Sequence, residues 1–118
     1  MKENDALQKF ATLHPNFNVY PSGLMICSEI PWLAATPDSI LVDENNKRIV
    51  LEIKCPKSNE NGPINVDYIK DEKLKISHPY FLQCQLQMLL CKCDLCILFI
   101  YSDVDHKIVY VEKDEKLL

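Results

Sequence analysis

The 118-residue chain has no long hydrophobic run: nothing in it approaches the roughly 18 to 20 apolar residues that span a membrane. The apolar stretch Cys96-Ile97-Leu98-Phe99-Ile100-Tyr101 has the length of a buried strand instead, so no membrane partner is expected. A basic surplus is also missing. Thirteen Lys and Arg against 17 Asp and Glu leave a net charge of −4, which argues against a generally basic nucleic-acid binder. It does not exclude an enzyme whose basic groups are confined to one cleft. No signal peptide is visible, because the polar opening Met1-Lys2-Glu3-Asn4-Asp5 leads straight into an amphipathic pattern; an intracellular protein is expected. The cysteines Cys27, Cys55, Cys84, Cys91, Cys93 and Cys96 lie mostly in apolar segments, where such thiols behave as small hydrophobes rather than as a disulfide framework. His14, His78 and His106 sit at turns or helix starts and form no metal triad. Neither an internal repeat nor a linker divides the chain, and its length suits one domain burying about two-thirds of its unfolded surface.

Periodicity predicts an α/β chain. Ala6, Leu7, Phe10, Ala11 and Leu13 recur at helical spacing and stop before His14-Pro15. Strands are expected at Val19-Tyr20, at Leu24 to Cys27 and at Trp32 to Ala35, around the turn signal Pro21-Ser22-Gly23, giving the first half a β-meander. Lys57 to Ser77 is mixed and polar, with a loop at Ser58 to Pro63 and a helical turn at Val66 to Ile69. Its lysines Lys57, Lys70, Lys73 and Lys75 alternate with Glu60, Asp67, Asp71 and Glu72, which favours a solvated loop over a phosphate-binding one. A second helix begins at Ser77-His78-Pro79, with proline at its first position, and runs to about Cys91. Leu95 to Tyr101 and Ile108 to Glu112 complete the strands.

The chemistry concentrates in two places. Between Ser39 to Asp43 and Ile49 to Lys54, Glu44-Asn45-Asn46-Lys47 reads as a turn, so a hairpin brings Asp38 beside Glu52. Side chains alternate along a strand, which puts Val50, Glu52 and Lys54 on one face and Ile49, Leu51 and Ile53 on the other. Two carboxylates and an ammonium around one point suit a hard divalent cation such as magnesium, with Lys54 steadying a phosphate or an attacking water. Read singly, Pro37-Asp38 is a turn and Glu52-x-Lys54 a solvated pair. The second helix carries Tyr80, Gln83 and Gln87 on one stripe of an otherwise apolar surface. Buried amides need partners, and the ordinary reading of Gln87, and the competing one of Gln83, is a core amide bonded to backbone carbonyls.

Pro37-Asp38, Glu52-Ile53-Lys54 and Tyr80-x-x-Gln83-x-Gln85 together resemble the PD-(D/E)XK nuclease pattern in the form of the lambda exonuclease and YqaJ-like viral recombinase family. Ile30 to Asp38 and Leu51 to Pro56 resemble that family's active-site hairpin, and His78-Pro79-Tyr80-Phe81 the start of its glutamine helix. The likeness covers roughly residues 3 to 112. It implies a restriction-endonuclease-like core with a mixed central sheet flanked by helices. It also implies an exonuclease that uses Mg2+, with Mn2+ as substitute, to degrade duplex DNA ends from the 5′ side in recombination or repair. A homotrimeric ring and a single-strand annealing protein as partner belong to the same implication. By position, Asp38 and Glu52 resemble the metal-binding carboxylates, Ile53 supplies a backbone carbonyl, and Glu3 resembles the family's helical glutamate. Lys54 resembles the catalytic lysine, with Tyr80 and Gln83 orienting it and the water. Gln85 matches the motif but is turned away from Gln83, which gives it a structural role. Ser39 stands where the family usually has glycine. The family's N-terminal region, with its DNA-binding Arg and Ser/Thr, has no counterpart ahead of Glu3, so the expectation is a single domain over 1–118 lacking that region. The alternative is a non-catalytic DNA-binding or assembly module retaining the fold. A second alternative, an iron–sulfur cluster on Cys27, Cys91, Cys93 and Cys96, has an unfamiliar spacing.

Overall fold

The computed structural model describes residues 2–21, 25–26, 34–35, 39–56, 64, 66–102 and 104–115. Helix α1 (Lys2–Leu13) is followed by strands β1 (Asn18–Pro21), β2 (Met25–Ile26), β3 (Ala34–Ala35), β4 (Ser39–Val42) and β5 (Arg48–Lys54). Short strands β6 (Ile69–Lys70) and β7 (Lys73–Leu74) precede helix α2 (Pro79–Cys91), and β8 (Leu95–Tyr101) and β9 (His106–Glu112) end the described chain. Five strands form the central sheet in the order β1-β4-β5-β8-β9. All its neighbours are antiparallel except β5 and β8, which run parallel with Glu52 opposite Leu98 and Ile53 opposite Phe99. A parallel pair needs a crossover, and α2 supplies it.

Strand alternation assigns the two faces of this sheet. Ile49, Leu51 and Ile53 of β5 and Ile97 and Phe99 of β8 pack with Ala6 and Phe10 of α1. Val50 of β5 and Cys96, Leu98 and Ile100 of β8 pack with Cys84, Met88 and Cys91 of α2. The sheet is therefore covered by a helix on each side, and its two central strands are buried on both faces. The face carrying Glu52 and Lys54 is the one that α2 covers, not the half-exposed surface on which a solvated pair would stand.

Helix α2 is closed at both ends by its own sequence. His78 is extended (φ −83°, ψ 143°) and its Nδ1 accepts from the Tyr80 amide at 3.1 Å, while Pro79 occupies the first turn, where its missing N–H costs nothing. Lys92 takes the left-handed conformation (φ 56°) and the Cys93 N–H reaches back to the Met88 carbonyl at 2.9 Å, ending the helix ahead of β8.

Two expectations are corrected. The first half is not a meander: β1 pairs with β4 (Val19 opposite Leu41) and β2 with β3 (Met25 opposite Ala35), in one shared register, so the β2-β3 ladder is nested between the outer strands. The helical turn expected at Val66 to Ile69 is instead a turn at Asp67-Tyr68 leading into the β6-β7 hairpin. Asp71 (φ 53°) and Glu72 (φ 63°) both take the left-handed conformation, the pairing that a two-residue hairpin turn with the right twist requires. Neither residue is glycine or asparagine, which is why the hairpin left no turn signal.

Candidate active site

Strand β5 and helix α2 bring four of the predicted residues together. Lys54 Nζ donates to Gln83 Oε1 at 3.1 Å and lies 3.9 Å from the centre of the Tyr80 ring. An amide oxygen and an aromatic face thus fix the ammonium from two directions, the second by attraction of a cation to the ring's negative face. Tyr80 is braced in turn: its ring meets Tyr68 edge-on at 4.9 Å and His78 at 4.5 Å. Burial first, then the neighbouring Tyr80, pushes the Tyr68 hydroxyl up to about 12, so at neutral pH it is a neutral wall of this aromatic group.

Glu52 is only 3% exposed and accepts from Gln87 Nε2 at 2.7 Å through Oε1. This corrects the reading of Gln87. Its donor goes to the candidate ligand carboxylate rather than to a backbone carbonyl, and its own Oε1 is buried with no partner among the described residues. Gln83 likewise serves a side chain, the lysine, rather than a backbone carbonyl. Gln85 is the core amide of the trio. It is fully buried, its Nε2 donates to the Glu112 carbonyl at 2.9 Å, and its Oε1 accepts from the Asp114 amide at 2.8 Å, clamping the end of β9 to α2.

The remaining predicted residues divide by what is described. Ile53 sits in β5 between Glu52 and Lys54, with its side chain packed toward α1, so its main chain runs past the site. Glu3 belongs to the first turn of α1, and its side chain is outside the described set. Asp38 also lies outside the described residues; the β4-β5 register is seen as far as Ser39 opposite Leu51. Among the described residues no group of three His, Cys, Asp or Glu is placed to hold a metal ion. The donors that are described, the Glu52 carboxylate and the neighbouring Gln87 carbonyl oxygen, are hard oxygens, and an orphaned buried oxygen beside a buried carboxylate fits a hydrated hard divalent cation.

The cysteines behave as core. Cys91, Cys93 and Cys96 are buried in the cluster under α2, and Cys93 Sγ points to the Cys91 carbonyl at 3.5 Å; Cys27 lies outside the described residues. Burial, and after it the Glu52 carboxylate, raises the Cys91 thiol above its ordinary 9.0, and burial pushes Cys93 up to about 11. The hydrogen bond with Cys84, then burial, raises Cys96 well above that ordinary value. These thiols are protonated at neutral pH, as buried core thiols are. The folded protein binds these protons more tightly than the unfolded chain does. Its stability is therefore undiminished by them below pH 9 and falls as pH rises from there toward about 11, the folded Cys93 value. Urea midpoints measured from pH 7 to 10.5 are expected to be flat and then to decline, and Cys93→Ala to blunt the decline. A midpoint constant to pH 10.5 refutes this.

Comparison with known proteins places the chain. The family model of the YqaJ-like viral recombinase domain matches residues 1–94. The chain belongs to that family. Its fold is similar to the crystal structure of an alkaline exonuclease (LHK-Exo) from Laribacter hongkongensis, with a TM-score of 0.73 and 24% identity over 98% of this chain and 56% of that one. The same exonuclease in complex with dAMP matches with a TM-score of 0.71 and 20% identity, over the same shares of the two chains. The PD-(D/E)XK α/β core implied by the sequence motifs is thus the fold of this family member, which spans about half the length of those exonuclease chains. No curated protein matches the chain.

Proposed function

We propose that this YqaJ-like domain is a divalent-metal-dependent DNA exonuclease whose site is built on Glu52 and Lys54. The observation that carries the reading is the double pairing across β5 and α2: each charged residue of Glu52-x-Lys54 is held by a glutamine of the facing helix. A solvated surface pair has no use for a buried amide on its carboxylate and a half-buried one on its ammonium, whereas a reacting centre needs both groups fixed. Glu52 and Asp38 would hold the cation, with the Ile53 carbonyl and Glu3 as further oxygen donors. When bound, Mg2+ or Mn2+ supplies an activated water and neutralises charge developing on the scissile phosphate. Lys54 orients the attacking water and the phosphate, and Gln83 and Tyr80 keep its ammonium in place. Contacts of this kind read backbone rather than bases, so the substrate is a duplex DNA end without sequence preference.

The finer points of the reading rest on family resemblance: digestion from the 5′ side, service in recombination or repair, a ring of three subunits, and an annealing protein as partner. The structurally similar exonuclease has been solved in complex with dAMP, so that relative binds a nucleotide. The deciding experiment measures nucleotide release from linear duplex DNA carrying a 5′ phosphate, with covalently closed circular DNA and EDTA as controls. Release that requires Mg2+ or Mn2+ and a free end is expected. A folded chain that binds linear duplex yet releases no nucleotide with either metal overturns the enzyme reading and leaves the DNA-binding module.

A further inference from the structure

We infer that Gln87 is the positioning residue for Glu52: its amide nitrogen sets the orientation of the carboxylate, and its carbonyl oxygen is the acceptor for a water of a bound divalent cation. This rests on the reading of Glu52 as a metal ligand. Gln87 is 2% exposed on the helix that sends Cys84, Met88 and Cys91 into the apolar core, and a methionine or leucine at a buried position carries no polar cost. A glutamine there is favourable only through its partners, and among the described residues one of its two polar atoms has one. Nε2 donates to Glu52 Oε1 at 2.7 Å, a short bond of the kind made to charged acceptors. An ionised carboxylate only accepts, so the amide must turn its NH2 toward Glu52, which leaves Oε1 as the buried oxygen with no partner among the described residues. An orphaned acceptor beside a carboxylate in a nuclease-fold site has an evident donor in a water carried by the cation.

The pairing is also specific to this position. Gln83, one turn earlier on the same stripe, reaches Lys54 instead, and Gln85 faces away to the end of β9. Residues that orient a ligating carboxylate usually carry about 10- to 100-fold in metal affinity.

Binding of Mn2+ to the metal-free full chain, followed by the paramagnetic resonance of the free ion, tests this without reference to turnover. Gln87→Met keeps the volume and removes both polar atoms; Gln87→Asn keeps the amide one methylene short and serves if the methionine variant does not fold. Both are expected to fold, by circular dichroism, and to bind Mn2+ about 10- to 100-fold more weakly than the wild type. A purely structural Gln87 would lower stability and leave affinity unchanged, which overturns the inference. Glu52→Gln separates the two levels: if it binds Mn2+ as the wild type does, the reading of Glu52 fails. If it abolishes binding while the Gln87 variants keep it, only the role of Gln87 fails.

Discussion

Glu52→Gln and Lys54→Met are each expected to remove nearly all end-dependent hydrolysis, the lysine variant by about 10²- to 10³-fold, the loss seen when one preorganised charge-stabilising group is deleted. Glu52→Gln keeps shape and volume in a buried position but removes the carboxylate's charge, so the loss reads chemistry rather than a cavity. Glu52→Ala is the poorer probe. It strands the Gln87 amide in the core, at a cost of about 1–3 kcal/mol for an unsatisfied donor, and mixes stability with activity. Lys54→Met retains an apolar stem against the Tyr80 ring and removes the ammonium from Gln83 Oε1. Initial rates on linear duplex with Mg2+ check both, with thermal unfolding as a control for folding. A Glu52→Gln or Lys54→Met rate equal to the wild type would remove these residues from the site, and restoration of a Lys54→Ala variant by added alkylamine would support the ammonium's role.

How the two pairs arise is simple geometry, and it was only half legible in the sequence. Period-two alternation was enough to put Glu52 and Lys54 on one face of β5 and Ile49, Leu51 and Ile53 on the other. Helical spacing was enough to put Tyr80, Gln83 and Gln87 on one stripe of α2. What joins them is a match of rises: four residues of helix climb about 6 Å and two residues of strand about 6.6 Å. A helix crossing back over its strand therefore meets Lys54 with Gln83 and Glu52 with Gln87, one turn further on. Nothing local in the sequence says that α2 lies over β5 in that register, so Gln87 read as an ordinary core amide. The same non-locality hid the sheet order. Val19, Met25, Ala35 and Leu41 look like members of successive hairpins, but their pairing in a nested ladder is decided by contacts far apart in the chain. The β6-β7 hairpin was hidden for the opposite reason, a local one: Asp71 and Glu72 adopt a backbone that glycine or asparagine would have advertised.

Phe99→Ala is expected to be the most damaging core substitution, costing about 3–5 kcal/mol, the usual range for a buried phenylalanine. Phe99 is fully buried in β8, between β5 and β9, and its ring stands edge-on to Phe10 of α1 at 5.4 Å, with Tyr101 at 6.0 Å. Removing it opens a cavity where α1 docks on the sheet and takes away the aromatic pairing as well. At roughly 4 °C per kcal/mol for a domain of this size, the thermal midpoint should fall by roughly 12–20 °C. Its neighbour Leu98, also fully buried, points to the other face and lies opposite Glu52 in the parallel ladder. Leu98→Ala should therefore cost about 2–5 kcal/mol and also loosen the floor beneath Glu52 and Gln87. The comparison separates the two sides of the sheet. Phe99→Ala, assayed well below its midpoint, should retain Mn2+ affinity, while Leu98→Ala should lose some of it even where fully folded. Equal loss of affinity in both would mean that the α1 face reaches the site through the sheet, and that the division of labour between the helices does not hold.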